Sequence, residues 1–102
     1  MSEVHKFKQY NPFDAILDLI YGICDKYKGV KDVSDELYGY CMILSDLKEK
    51  YVLLPTQKEL LNQTLYFLRS DNNDDLTYIR NSMEYVIFLD KNNTLDFSGV
   101  WV

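Results

Sequence analysis

Histidine occurs once in these 102 residues, cysteine and proline twice each, and glycine four times. Each scarcity excludes a class of chemistry. A structural or catalytic zinc takes three or four placed nitrogen or sulfur ligands, which a single His5 with Cys24 and Cys41 does not supply. The two thiols have neither CxxC spacing nor a neighbouring imidazole, so nothing marks a redox pair or a cysteine nucleophile. Both lie in apolar helical patterns and are expected as buried free thiols. A disulfide between facing helices stays open, because spacing does not fix the Cα separation it requires. The scattered glycines form no phosphate-cradling loop. No apolar run approaches the ~18 residues of a membrane helix, and "MSEVHKFKQYNP" lacks the apolar stretch of a signal peptide. A cytoplasmic, reduced location away from membranes is therefore expected.

What the chain has in quantity is acid and tyrosine. Sixteen acidic against eleven basic residues give a formal charge of −5. The averaged field repels phosphate backbones and anionic lipid and attracts basic protein, which disfavours direct nucleic-acid binding. With 47% hydrophobic and 26% charged residues, the composition is that of one folded domain spanning 1–102. The nine tyrosines, five phenylalanines and one tryptophan exceed what one small core needs. Tyrosine at a surface makes large contacts at low entropic cost.

Four amphipathic segments predict an all-α four-helix bundle. Asn11-Pro12 marks a helix start, with Asn as N-cap and Pro at the first position, and Gly29 is expected to close the helix as its C′ residue after Lys28. Phe13, Ile16, Leu17, Ile20, Ile23, Cys24 and Tyr27 share its apolar face. A second helix is expected behind a Ser34 cap, running to about Tyr51 with Leu37, Tyr40, Cys41, Leu44 and Leu47 inward. Gly39 within it suggests either a close helix crossing or a tolerated weak point. Pro55, Thr56 and Glu59 read as a break and a capping box. The third helix behind them is expected to bury Leu60, Leu61, Thr64, Phe67 and Leu68 and to end near Arg69. Leu76, Ile79, Met83 and Val86 place a fourth helix through about Leu89, with a strand or hairpin over 84–102 as the alternative ending.

No constellation carries catalytic chemistry. Asp71, Asn73 and Asp75 fit the first calcium-loop positions, but Leu76 stands where the turn needs Gly and Ser82 where a bidentate Glu is required. The acids otherwise fall on helix faces opposite the core, where nothing raises a carboxyl pKa toward general-acid work. A non-enzymatic protein without metal or cofactor is expected.

The remaining candidates form a recognition surface. Asp14, Asp18, Tyr21 and Asp25 recur at i, i+4, i+7 and i+11, which aligns three carboxylates and a phenol along one solvent-facing line. Like charges at i, i+4 cost a helix a few tenths of a kcal/mol, so the stripe is mildly unfavourable unless it is used. Asp35, Tyr38, Asp46 and Glu49, with Met42, repeat the pairing of acid and contact residue on the second helix. Asp71, Asp74 and Asp75 in the connector "SDNNDD" add charge, and Asp74 or Asp75 can cap the fourth helix. Tyr78 and Tyr85 are second-rank anchors, since bundle core is the commoner fate for tyrosines so placed.

With its small size, negative charge and the acidic helix "DAILDLIYGICD", the chain resembles the immunity proteins of bacterial toxin systems, such as those neutralising colicins and contact-dependent inhibition toxins. It is a likeness of class. The resemblance implies a cytoplasmic protein that covers a basic, often nuclease, toxin domain. The other readings are a phage or chromosomal regulator that mimics nucleic acid, and a structural helical oligomer; monomer and homodimer are not distinguished.

Overall fold

The computed structural model describes residues 11–71 and 73–92, and these form four α-helices without a strand among them. Helix α1 spans Pro12–Ile23, followed by a short 3-10 turn at Asp25–Tyr27; α2 is Lys31–Lys50, α3 is Pro55–Asp71 and α4 is Asp75–Lys91. An all-α bundle is what the hydrophobic periodicity requires.

Helix α1 is the hub. It packs against α2, α3 and α4, and α4 also packs against α3. Its sequence explains the position, because Phe13, Ile16, Leu17, Ile20 and Ile23 are all buried and form a stripe broad enough for several neighbours. Asn11 caps it, its side-chain oxygen accepting from the Phe13 amide at 2.9 Å, and Pro12 occupies the first turn, where a missing N–H costs nothing. Leu37, Leu44 and Leu47 of α2, Leu61 and Leu65 of α3, and Leu76, Ile79, Met83, Val86 and Leu89 of α4 complete the core.

Side-chain pairs fix the directions. Lys48 reaches Asp14 and the Ser34 hydroxyl donates to the Tyr27 carbonyl, so α1 and α2 are antiparallel. Arg80 holds Glu36 while Lys50 holds Asp90, so α2 and α4 run the same way. Arg69 pairs with Asp75 across the connector and stacks on Tyr78, which folds α3 back along α4. The topology is up-down-up-down.

Several expectations are corrected. Helix α1 ends at Ile23 rather than Lys28; the chain tightens into the 3-10 turn, which swings Cys24 to the surface instead of the core. Gly29 does not adopt the left-handed backbone of a C′ residue. Ser34 is not the cap of α2, which begins at Lys31; its hydroxyl instead satisfies the carbonyl of Tyr27 at 2.7 Å.

The capping box is displaced by two residues. The Gln57 side-chain oxygen accepts from the Leu54 amide at 2.6 Å, and the Leu54 carbonyl starts the helical ladder. Pro55 takes the first helical position, so Leu54 has to be the cap. Within α3, Leu60 and Phe67 are exposed rather than buried, because the inward face centres on Gln57, Leu61 and Leu65. An added Cβ at Gly39 meets nothing within 4 Å, so no helix crosses there. At the other end, residues 84–91 are helical. Val86 and Leu89 extend the buried period of α4, which overrides the strand propensity of their branched neighbours. The rest of the predicted strand or hairpin, like His5, lies outside the described residues.

Candidate protein-docking face

The acidic stripe of α1 is where its spacing puts it. Asp18, Tyr21 and Asp25 are exposed, and Asp14 is half-buried. One feature was not legible in the local sequence. Lys48 arrives from α2 and donates to Asp14 at 2.6 Å. That bond holds the Lys48 ammonium pKa above its usual value, with Tyr21 and Asp18 adding to the attraction. The stripe therefore begins at an ion pair between helices.

The face on α2 is organised differently. Tyr38 and Met42 stand 70% and 58% exposed and line a shallow groove together with Cys41, Ser45, Asp46 and Glu49. The spacing 38, 42, 45/46, 49 follows one side of a helix, so the groove is a direct product of the 3.6-residue period. Among the described residues it carries two carboxylates and no cation. Burial pushes the Cys41 thiol up, which keeps it protonated and poorly nucleophilic. Asp35 lies beyond this groove and pairs with Lys31 at 2.8 Å, an exposed i, i+4 bridge of little energetic weight.

The connector acids serve α4. Asp74 caps it, accepting from the Thr77 amide at 2.9 Å and the Thr77 hydroxyl at 2.7 Å. The bond from the Thr77 hydroxyl, then that from the amide, holds the Asp74 carboxyl below its usual pKa, and the charges of Lys26 and Arg80 act in the same direction. Asp75 is engaged by Arg69, and Asp71 ends α3 in solvent. The up-down-up-down order of the helices puts this connector at the same end of the bundle as the 3-10 turn. Asp71, Asp74 and Asp75 are therefore set apart from the groove of Asp46 and Glu49. Asn72 lies outside the described residues. Among those described, no three His, Cys, Asp or Glu side chains converge as a metal site would need.

Two networks missed by sequence reasoning hold α2 to α4. Glu36 accepts two bonds from Arg80, each 2.8 Å, and a third from the Tyr40 hydroxyl at 2.6 Å. The Arg80 guanidinium holds the Glu36 carboxyl below its usual range. Burial first, and the bond to Glu36 second, push the Tyr40 hydroxyl up to about 12. At the other end, Asp90 accepts from Lys50 and from the Tyr51 hydroxyl, and Lys50 is the main cause of its lowered pKa. Only Glu36 with Tyr40, at i, i+4, left a local signal; Arg80 lies 44 residues from Glu36. Tyr78 is buried, whereas Tyr85 is half-buried and packs against the core from its edge.

No protein-family model matches the chain, and no curated protein or solved structure matches it either. No helix of the described residues is long and apolar enough to cross a membrane.

Proposed function

We propose that the protein is a non-enzymatic acidic binding module that covers a basic protein domain, in the manner of an immunity protein occluding a bacterial toxin, in the cytoplasm. The observation that carries this reading is the groove on α2. Two large side chains, Tyr38 and Met42, stand in water beside Asp46 and Glu49, an arrangement that costs solvation unless a partner with apolar anchors and cationic flanks covers it. Burying two such side chains contributes about 1.5–3 kcal/mol each. The carboxylates, with the exposed stripe of Asp18, Tyr21 and Asp25 on α1, steer a cationic surface toward the groove and act mainly on the association rate.

Should a basic protein be encoded beside this chain, co-expression of the two tests this directly. The neighbour expressed alone is expected to arrest growth, the wild-type chain to restore it, and a D46K/E49K variant to fail. Restoration that survives both charge reversals would show the groove plays no part. A neighbour that binds nucleic acid and is harmless would instead favour the mimic reading.

A further inference from the structure

A second groove lies between α3 and α4. Asn81, Glu84, Tyr85 and Phe88 recur on α4 at i, i+3, i+4 and i+7, which sets them on one ridge beside the core stripe of Ile79, Met83 and Val86. With Leu68 of α3 they line an open groove of about 430 Å³, within the range of clefts that hold a compact ligand. Among the described residues that line it, only Glu84 is charged. Tyr85 packs against the core from its edge, whereas Phe88 stands 60% exposed. A phenylalanine in water over an apolar groove is unfavourable until something covers it.

The point where the chain leaves α4 says what covers it. The Asn92 amide and its side-chain Nδ2 both donate to the Phe88 carbonyl, at 3.1 and 2.8 Å, so the exit is pinned to the turn that bears Phe88. The sequence over 93–102, "NTLDFSGVWV", then brings Leu95, Phe97, Val100, Trp101 and Val102, with Asp96 as its only charged side chain. Such a segment has much apolar surface to bury and little to desolvate.

We propose that residues 93–102 turn back along α4 and cover this groove, burying the Trp101 indole beside Phe88, Tyr85 and Leu68. The reach suffices. From Asn92 back to Asn81 the helix rises about 16 Å at 1.5 Å per residue, whereas the nine residues from Asn92 to Trp101 extend to about 30 Å. Trp101 therefore reaches any part of the groove with slack left for the reversal. Tethering selects this segment over a free partner of the same chemistry. A site joined to its ligand by a short linker meets it at about millimolar effective concentration, so a contact too weak to recruit a separate peptide is enough. The groove lies between α3 and α4, so closing it leaves Tyr38 and Met42 of α2 exposed, and the proposal does not rest on what they bind.

Trp101 is the one tryptophan of the chain, so its fluorescence reads the docking directly. In the full chain its emission is expected to be blue-shifted from that of the urea-unfolded protein, and its quenching by acrylamide to be several-fold weaker. F88K is expected to return both toward the unfolded values with circular dichroism unchanged, since Phe88 is exposed and a cation is favourable in the last turn of a helix. F88A, which adds no charge, should give part of the same shift. F67K alters a comparably exposed ring on α3 and is expected to leave the emission as in wild type. A wild-type Trp101 as open to acrylamide as in urea would overturn the proposal. So would a shielded Trp101 that ignores both Phe88 variants, or one that F67K exposes. Shielding that fades on dilution from roughly 50 to 0.5 μM would overturn it too, by placing the segment on a second copy.

Discussion

Ser82 is fully buried in α4, and its Oγ has no hydrogen-bond partner. It is the one such side-chain atom among the described residues. Burying a hydroxyl without a partner costs about 1–3 kcal/mol in proteins. Replacement by Ala removes that cost and adds roughly 0.5 kcal/mol of helix propensity. The lost oxygen leaves a void smaller than a methyl group, which offsets a few tenths of a kcal/mol at about 24 cal/mol per Å³. Ser82→Ala should therefore stabilise the fold by about 1–3 kcal/mol. For a domain of this size each kcal/mol raises Tm by roughly 4–8 °C. Urea unfolding followed by circular dichroism measures the change, and an unaltered m-value keeps it assigned to the folded state. Ser70→Ala is the control, since that hydroxyl bonds the Tyr66 carbonyl at the surface and its loss should stay within about 0.5 kcal/mol. A neutral or destabilised Ser82→Ala protein would refute the reasoning, because it would mean that the hydroxyl is satisfied.

Gly39→Ala should stabilise by about 1 kcal/mol, because the new Cβ meets nothing and the helix interior gains propensity; equilibrium unfolding checks it. Stability should also fall at both pH extremes, through the clasps between α2 and α4. The carboxyls of Glu36 and Asp90 titrate lower folded than unfolded. Their contribution is thus complete above the unfolded values of about 4 and is lost as pH drops through the folded ones. Melting temperature measured toward pH 3 should decline less steeply in Glu36→Gln than in wild type. Tyr40 has the opposite sign: raised to about 12, its protonated hydroxyl stabilises the fold below pH ~10 and ceases to as pH climbs toward 12. Tyr40→Phe should flatten that alkaline decline.

The cores of α1, α2 and α4 were legible because one period governs each. Ile16, Ile20 and Ile23 of α1 and Leu76, Ile79, Met83 and Val86 of α4 are buried, as an unbroken i, i+3, i+4 pattern demands. Helix α3 misled because it is apolar around more than half its circumference. Periodicity finds an apolar arc, but not which part of it the neighbours cover, so Phe67 was assigned inward. Helix ends were set by competition for single donors and acceptors. The Tyr27 carbonyl claimed Ser34, and the Leu54 amide claimed Gln57, outcomes that depend on geometry a few residues away. For the candidate surface, the exposure of Tyr21, Tyr38 and Met42 followed from helical phase. The pairing of Asp14 with Lys48 did not, since it requires the register between two helices.

That register limits where any partner can bind. Helix α1 is covered by three neighbours, and its remaining surface is a narrow line that starts at the Asp14–Lys48 pair and continues through Asp18 and Tyr21. A narrow line between helices steers charge well but offers little area to an interface. Helix α2, by contrast, meets α4 through two side-chain clasps rather than a packed seam, and its outward face stays broad. The contact area is therefore concentrated on α2, and the long-range field is shared by α1 and α2. Groove substitutions such as Tyr38→Ala should then act on dissociation, and stripe substitutions such as Asp18→Asn on association. Rate measurements at two salt concentrations separate these effects, and a slower association with Tyr38→Ala alone would reverse the division between the two helices.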